Sequence, residues 1–298
     1  MPPLTPPETD AGLARRLAAH AGELLLRVRS AHGHGDPAAL KAAGDRASHD
    51  LLLAELATHC PDDAVLSEED KDSRVVGSVD AGGRLTADRV WIIDPLDGTR
   101  EFSEEGRSDW AVHVALWART ASTPHRLVAG AVGLPAQHRV LGTDHPPAYP
   151  PMTLEAATSG GGRTIRLAAS RSRPPVFLTD LADDVGAHLV PMGSAGAKIA
   201  AVVTGEVDAY VHAGGQYEWD SAAPVAVATA AGFHASRVDG SPLTYNQADP
   251  RLPDLLVCRQ ELAAPLLAAL ARQLSGAAAP GSGVPSTGGV PSTGKDTR

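Results

Sequence analysis

The chain has 298 residues, a hydrophobic content of 43% and a formal net charge of -9 at pH 7. Its length is typical of about two domains with a sizeable core. Its acidic balance excludes binding to nucleic acids or anionic membranes through a basic face, so we expect neither as a partner.

The two cysteines, Cys60 and Cys258, lie far apart and in no metal or redox spacing. No apolar run approaches the roughly 20 residues of a membrane span, and the N-terminal segment lacks the basic and apolar regions of a signal peptide. We therefore expect a cytoplasmic protein with free thiols.

Apolar residues recur at helical spacing in the first part of the chain, which predicts amphipathic helices over 9–29 and 45–56. Segments rich in Val, Ile, Leu and Trp, separated by turn-forming residues, predict strands at 64–66, 90–93, 110–117 and 127–134. The first part is therefore predicted to contain two helices followed by several strands.

A polar stretch rich in Pro and Gly, 142–162, separates this part from one in which strand and helix patterns alternate. The predicted order is strand 164–169, helix 195–204, strand 207–211, helix 220–231 and helix 261–274. We predict an α/β protein with an N-terminal α+β half at 1–145 and a C-terminal α/β half at 163–275.

The last segment, 276–298, has a different composition. The unit Gly-Val-Pro-Ser-Thr-Gly occurs at 283–288 and again at 289–294, and the segment has no large apolar residue. Such a chain cannot bury enough surface to offset the entropy of ordering, so we predict a disordered tail.

Two of the predicted strands end in carboxylates. Trp91 to Ile93 lead into Asp94-Pro95-Leu96-Asp97-Gly98-Thr99, and Val65 and Leu66 lead into Ser67-Glu68-Glu69-Asp70. Asp-Pro and Asp-Gly also form turns, so one alternative is that Asp97 or Thr99 caps the next helix. Adjacent strand ends would instead gather carboxylates at a high electrostatic cost unless divalent cations neutralise them. Ligands that are all oxygen favour Mg²⁺.

Three separated motifs together resemble a known family: Glu68-Glu69, the Asp94–Thr99 segment and Trp219-Asp220-Ser221-Ala222-Ala223-Pro224. They resemble the Mg²⁺-dependent, lithium-sensitive superfamily of inositol monophosphatases, fructose-1,6-bisphosphatases and bisphosphate nucleotidases, over roughly residues 10–275. The resemblance implies a layered αβαβα sandwich with the metal site between its halves, in a monomer or homodimer.

The resemblance also implies the metal ligands. Glu68, Asp94 and the backbone carbonyl of Leu96 would hold one Mg²⁺, and Asp94, Asp97 and Asp220 would hold another, with about two or three ions per active site. One ion would make a bound water more acidic, and another would neutralise the leaving oxygen in phosphoryl transfer to water.

The implied catalytic residues are Glu68, Asp45 and Thr99. Thr99, paired with Asp45, would orient the attacking water, and the backbone amides of Gly98 and Thr99 would face the phosphate. The family usually has a Thr-x-x-Asp pattern where this chain has Lys41-Ala42-Ala43-Gly44-Asp45. The alternative for Asp45 is a helix N-cap.

Further features resemble the bisphosphate nucleotidase branch. These are the Arg-Glu-Phe ending at 100–102, Ser170-Arg171-Ser172-Arg173, which is similar to that branch's Ser-Arg-Ser-His motif, and the Gly-rich segment 193–199 that ends in Lys-Ile. The resemblance implies a small phosphorylated nucleotide as substrate. Local cations and a hydroxyl would bind its second phosphate: Arg171, Arg173, Ser194 and Lys198. The alternative makes the two arginines exposed loop residues and Lys198 a polar helix position.

Two functions from different classes remain open. The first is a phosphatase of sulfur assimilation that removes the 3'-phosphate of 3'-phosphoadenosine 5'-phosphate to give AMP. It would also accept the related phosphosulfate. Inositol monophosphate and fructose 1,6-bisphosphate are alternative substrates. The second is a non-catalytic nucleotide-binding homologue. A nucleotide triphosphatase is disfavoured, because the segment that ends in Lys198 lacks the Gly-x-x-x-x-Gly-Lys-Ser/Thr spacing and Ile199 stands where a metal-binding hydroxyl belongs. The full set of carboxylates favours the phosphatase.

Deleting everything after Ala278 should change neither the Tm nor the turnover number, because the repeat tail has no large apolar residue to bury. Thermal unfolding and steady-state kinetics on the full-length and truncated chains test this. A drop of several degrees on truncation would show that the tail docks on the folded part.

Overall fold

The computed structural model describes residues 9–70, 81–148, 164–172 and 174–277. Three features of the sequence lie outside these residues: Arg173, most of the polar stretch 142–162, and the tail from 278 onward. The domain boundaries at 145 and 163 therefore stay predictions.

The first sheet has five strands in the order β1-β2-β3-β4-β5, with β1 parallel to β2 and the other neighbours antiparallel. Its elements in chain order are α1 (Asp10–His32), α2 (Pro37–His59), β1 (Ala64–Ser67), α3 (Ala81–Thr86), β2 (Arg89–Asp97), α4 (Thr99–Ser103), β3 (Ala111–Ala118), β4 (Leu127–Leu134) and β5 (Arg139–Gly142).

The second sheet has the order β7-β6-β8-β10-β9, in which β6 is parallel to both of its neighbours. Its elements are β6 (Ile165–Ser170), α5 (Leu178–Val185), β7 (Ala187–Met192), α6 (Ala195–Val203), β8 (Ala209–Tyr217), α7 (Glu218–Ala230), β9 (His234–Ser236), β10 (Arg251–Cys258) and α8 (Ala263–Ala277). Residues 276 and 277, which the sequence assigned to the tail, are thus the end of α8.

The elements stack in five layers because both sheets are apolar on both faces. Alternation along β2 sends Trp91 and Ile93 toward α1 and α2, and Val90 and Ile92 toward the central layer of α6 and α7. The second sheet covers the other side of that central layer, and α5 and α8 cover its outer face. The expected αβαβα sandwich is therefore confirmed.

Several predicted elements match the structure, but α2 begins earlier than expected. It starts at Pro37 and is capped by Asp36, whose Oδ1 accepts hydrogen bonds from the amides of Ala38 and Ala39 at 3.1 and 3.0 Å. Asp45 lies in the middle of this helix, so the interpretation of Asp45 as an N-cap is wrong. The sequence patterns also missed α3, α5, β5, β7, β9 and β10. Of these, β5 and β9 have only four and three residues, which are too few for a clear period.

Within the described residues, no helix has the length and apolar character that a membrane crossing requires. Cys60 and Cys258 are both free, as the sequence predicted.

Candidate active site

The two acidic strand ends lie side by side at one edge of the first sheet. Strands β1 and β2 pair in parallel, with Ser67 opposite Ile93. The amide of Glu68 donates to the carbonyl of Ile93 at 3.4 Å, which continues the pairing one residue beyond β1 and brings Glu68 beside Asp94. The predicted meeting of the two strand ends is therefore confirmed.

Asp94, Asp97 and Asp220 form a compact carboxylate cluster. One carboxylate oxygen from each lies within 4.8 Å of the other two. Asp94 is fully buried; its Oδ1 accepts from the amide of Leu96 at 3.1 Å, and its Oδ2 has no hydrogen-bond partner among the described residues. Burial, followed by the charges of Glu68, Asp97 and Asp220, raises the pKa of Asp94 well above its usual range. An unpaired buried oxygen within such a cluster fits a divalent cation.

Asp220 comes from the other part of the chain, in the first turn of α7. Its Oδ2 accepts a hydrogen bond from the amide of Tyr217 at 2.7 Å, which fixes the carboxylate at the helix N-terminus. Removal from water and the charge of Asp97 raise the pKa of Asp220. The cluster therefore lies between the two sheets. Carboxylates from both parts of the chain could there bind a metal ion that acts as a Lewis acid on a phosphate.

The turn after β2 has no side-chain cap among the described residues, and hydroxyl groups bind the backbone carbonyls that precede it. Gly98 is the N-cap of α4 with φ of 83°, a left-handed conformation that glycine adopts without strain, and no side chain of the described residues caps this helix. The Thr99 hydroxyl donates to the carbonyl of Leu96 at 3.2 Å, and the Ser48 hydroxyl donates to the carbonyl of Pro95 at 2.7 Å. The alternative in which Asp97 or Thr99 caps the next helix is therefore wrong.

Asp45 lies on α2 near the acidic end of β1. Burial, together with the charges of Glu69 and Glu68, raises the pKa of Asp45 to about 7, and Lys41 partly opposes this shift. The helix therefore brings Asp45 into the electrostatic environment of the Glu68 loop. The pairing of Asp45 with Thr99 stays a prediction.

A cavity of about 420 Å³ opens onto the carboxylate cluster, and it is lined by residues from both parts of the chain. Asp97, Gly98 and Thr99 lie on one side, and Ser194 and Lys198 of the α6 region on the other. Such a cleft, with convergent polar groups and perturbed carboxylates, is typical of a substrate site.

Lys198 is a buried cation in this cavity, only 4% exposed. Its Nζ donates to the carbonyls of Gly193 and Ser194 at 3.1 and 2.7 Å and lies 5.2 Å from the ring centroid of Tyr210. Burial lowers the pKa of Lys198, and nearby carboxylates, Asp97 first among them, oppose that shift. The alternative in which Lys198 is an ordinary polar helix position does not fit this burial.

Arg171 is bound by carboxylates of the first part of the chain. Its Nη2 donates to Glu101 Oε1 at 2.7 Å and to Glu104 Oε1 at 2.9 Å. These ion pairs raise the pKa of Arg171 and direct its guanidinium toward α4. Its neighbours Ser170 and Ser172 line the cavity. The predicted contact of Arg171 with substrate stays a prediction, and Arg173 lies outside the described residues.

Sequence reasoning missed several polar residues of the site. Glu101 holds Arg171, Asp109 accepts a hydrogen bond from the amide of Gly193 at 2.6 Å, and buried His113 lies with its Nε2 3.4 Å from Asp97 Oδ2. Glu101 lies in the Arg-Glu-Phe motif at 100–102, so the sequence did indicate that it could belong to the site. Asp109 and His113 carried no such indication, because the amide of Gly193 that Asp109 binds and the carbonyl of Trp219 that lies 2.9 Å from His113 Nδ1 are more than eighty residues away in sequence.

The layered fold and its carboxylate cluster define the class of protein. The chain belongs to the inositol monophosphatase family, whose family model matches residues 8–275. It is 52% identical to the 3'-phosphoadenosine 5'-phosphate phosphatase of Mycobacterium leprae over 89% of this chain and 94% of that protein. It is 28% identical to the 3'(2'),5'-bisphosphate nucleotidase CysQ of Escherichia coli over 77% of this chain and 91% of that protein.

Solved structures have the same fold. CysQ from Bacteroides thetaiotaomicron superposes with a TM-score of 0.65 and 26% identity, over 85% of this chain and 98% of that one. Mycobacterium tuberculosis SuhB gives a TM-score of 0.63 at 22% identity, over 88% of this chain and 96% of that one. The second likeness shows the fold alone.

Gly196→Ala should destabilise the protein, because a Cβ at this buried position would lie 1.9 Å from His113 Nε2. Relief of that overlap must move the start of α6 or the imidazole, and overpacking of this kind costs about 1–3 kcal/mol of unfolding free energy. Urea unfolding of the metal-free protein measures the loss.

Gly83→Ala is the matched control for this substitution. Gly83 lies in α3, and an added Cβ would meet no described residue within 4 Å. Alanine there should leave the stability unchanged or raise it by roughly 0.5–1 kcal/mol. Equal stabilities of the two variants would contradict the close packing of α6 against His113.

Proposed function

We propose that this protein is a Mg²⁺-dependent phosphatase that hydrolyses the 3'-phosphate of 3'-phosphoadenosine 5'-phosphate and leaves AMP. The observation that carries the proposal is the cluster of Asp94, Asp97 and Asp220, in which the first two carboxylates are buried and the third is half-buried, and which opens onto a cavity containing the buried cation Lys198. The 52% identity to a relative named for this activity supports the substrate.

The proposed metal ligands come from both parts of the chain. Glu68, Asp94 and the carbonyl of Leu96 would hold one ion, and Asp94, Asp97 and Asp220 would hold a second. When bound, Mg²⁺ supplies Lewis-acid chemistry, because it acidifies a water molecule and neutralises charge on phosphoryl oxygens. Asp94 Oδ2, which has no hydrogen-bond partner in the part of the chain that the structure describes, supports this assignment.

The remaining groups of the chain position water and phosphate. We assign Thr99 and Asp45 to the attacking water, since Thr99 lies at the start of α4 and Asp45 lies on α2 near the Glu68 loop. The amides of Gly98 and Thr99 would donate to the phosphate. No side chain needs to act as a nucleophile, because phosphoryl transfer relies on positioning and electrostatic stabilisation.

Lys198 is the proposed partner of the second phosphate. A lysine ammonium has three donors, and two of those of Lys198 are directed at the carbonyls of Gly193 and Ser194. The remaining donor and the positive charge are available to an anion in the cavity. Lys41 and Arg100 also line this cavity and add positive charge to it.

Asp94→Asn and Asp220→Asn should each reduce phosphate release from 3'-phosphoadenosine 5'-phosphate to below about a hundredth of the wild-type rate, because a metal ligand loses its charge. The metal-free variants should be at least as stable as the wild type, since the pKa of each carboxyl is raised in the folded protein and the neutral amide avoids that repulsion. The measurements are phosphate release and the Tm with and without Mg²⁺.

Asp50→Asn is the control, because Asp50 is exposed on α2. It should retain both activity and the Mg²⁺-dependent rise in Tm. If Asp94→Asn and Asp220→Asn both keep more than a tenth of the activity, the two-metal proposal is wrong.

Lys198→Met should lower kcat/KM for 3'-phosphoadenosine 5'-phosphate by roughly ten- to a hundredfold, the usual effect of losing one charge-assisted hydrogen bond. Methionine keeps an unbranched apolar chain against Tyr210. Inositol 1-phosphate has no second phosphate to lose and should be affected much less. The measurement is phosphate release with Mg²⁺ on both substrates, for wild type and variant.

Two results would redirect the substrate assignment. An equal loss on both substrates, or a wild-type preference for inositol 1-phosphate, would favour an inositol monophosphatase activity. No release from either substrate, together with tight binding of the bisphosphate, would favour the non-catalytic homologue.

A further inference from the structure

Asp97 receives hydrogen bonds from the opposite side of the cavity. The residue ends β2 of the first sheet, and its Oδ2 accepts from the Ser194 hydroxyl at 2.5 Å and from the amide of Gly196 at 2.7 Å. Both donors belong to the start of α6, which leads into the central layer. A proposed metal ligand is therefore oriented by a helix N-terminus from the other half of the molecule.

The hydroxyl of Ser194 has its proton directed at Asp97. Ser194 is the N-cap of α6, and its Oγ accepts a hydrogen bond from the amide of Ala197 at 2.9 Å. Because that amide is the donor, the hydroxyl proton is free to point to the Asp97 carboxylate. Ser194 also has φ of 46°, a strained conformation for a residue with a side chain.

We infer that Ser194 is a positioning residue that holds Asp97 Oδ2 by a hydrogen bond, so that Oδ1 of the same carboxylate is presented to the cation. Two donors occupy Oδ2, and we therefore assign Oδ1 to the metal. The inference rests on the proposed metal-dependent function, and it replaces the sequence-based expectation that the Ser194 hydroxyl binds the second phosphate of the substrate. Partners that orient metal ligands in this way typically contribute ten- to a hundredfold in metal affinity.

Other contacts keep this segment in place without the hydroxyl. Asp109 accepts from the amide of Gly193, and Lys198 donates to the carbonyls of Gly193 and Ser194. The amide of Gly196 also still reaches Asp97. Loss of the Ser194 hydroxyl should therefore free one side of Asp97 without undocking α6.

Ser194→Gly removes the hydroxyl and suits the left-handed backbone at this position. We expect the dissociation constant of Mg²⁺ for the metal-free protein, measured by calorimetry with Mg²⁺ alone, to rise about ten- to a hundredfold. The KM for 3'-phosphoadenosine 5'-phosphate at saturating Mg²⁺ should change less than about twofold, because the inference gives Ser194 no substrate contact. Ser194→Ala, which keeps the Cβ, should behave in the same way.

Thr9→Gly is the matched control, because Thr9 is the N-cap of α1 as Ser194 is of α6. Its Oγ1 likewise accepts one amide hydrogen bond, from Gly12 at 3.1 Å. It should leave Mg²⁺ affinity unchanged. Wild-type Mg²⁺ affinity in both Ser194 variants would overturn the positioning role and leave the proposed function intact. A raised KM with unchanged Mg²⁺ affinity would also overturn it and assign Ser194 to substrate. Failure of the wild type to bind Mg²⁺ would overturn both proposals.

Discussion

Mutual repulsion among buried carboxylates is the constraint on which this structure depends. Asp94 is fully buried, and Asp97 and Asp220 lie within 4.8 Å of it. Burial and like charge both disfavour ionisation, which is why the pKa values of Asp94 and Asp220 are raised. Packing of the five layers has to outweigh this cost in the metal-free protein. A divalent cation would remove it, so metal binding and stability are expected to rise together.

The five-layer arrangement explains how charges from distant parts of the sequence meet. Parallel pairing of β1 and β2 brings the Glu68 and Asp94 ends together at one edge of the first sheet. The central helices α6 and α7 then direct their N-termini at the same edge, where helix dipoles favour negative charge. Asp220 lies in the first turn of α7, and the start of α6 binds Asp97. The cavity for substrate opens where these elements converge.

The comparisons and the geometry support different parts of the functional assignment. Family membership accounts for a phosphatase site, but the family is named for inositol monophosphate and its relative from Mycobacterium leprae for 3'-phosphoadenosine 5'-phosphate. The preference for a bisphosphate rests on the relative with 52% identity and on cations in the cavity. Lys198 is the strongest of these cations, because it is buried and linked to the segment that binds Asp97 and Asp109.

The sequence by itself determined the local features: amphipathic helices, apolar strands that end in acid, and the motifs that resemble the family. These depend on near neighbours in the chain, so periodicity and spacing reveal them. Only the tertiary structure decided the environment of each group. Ser194 hydrogen-bonds to Asp97, Arg171 binds Glu101, and Asp45 lies mid-helix with a pKa of about 7. Such contacts join residues far apart in sequence, and they follow from packing of the two sheets around one central layer, which no local pattern encodes.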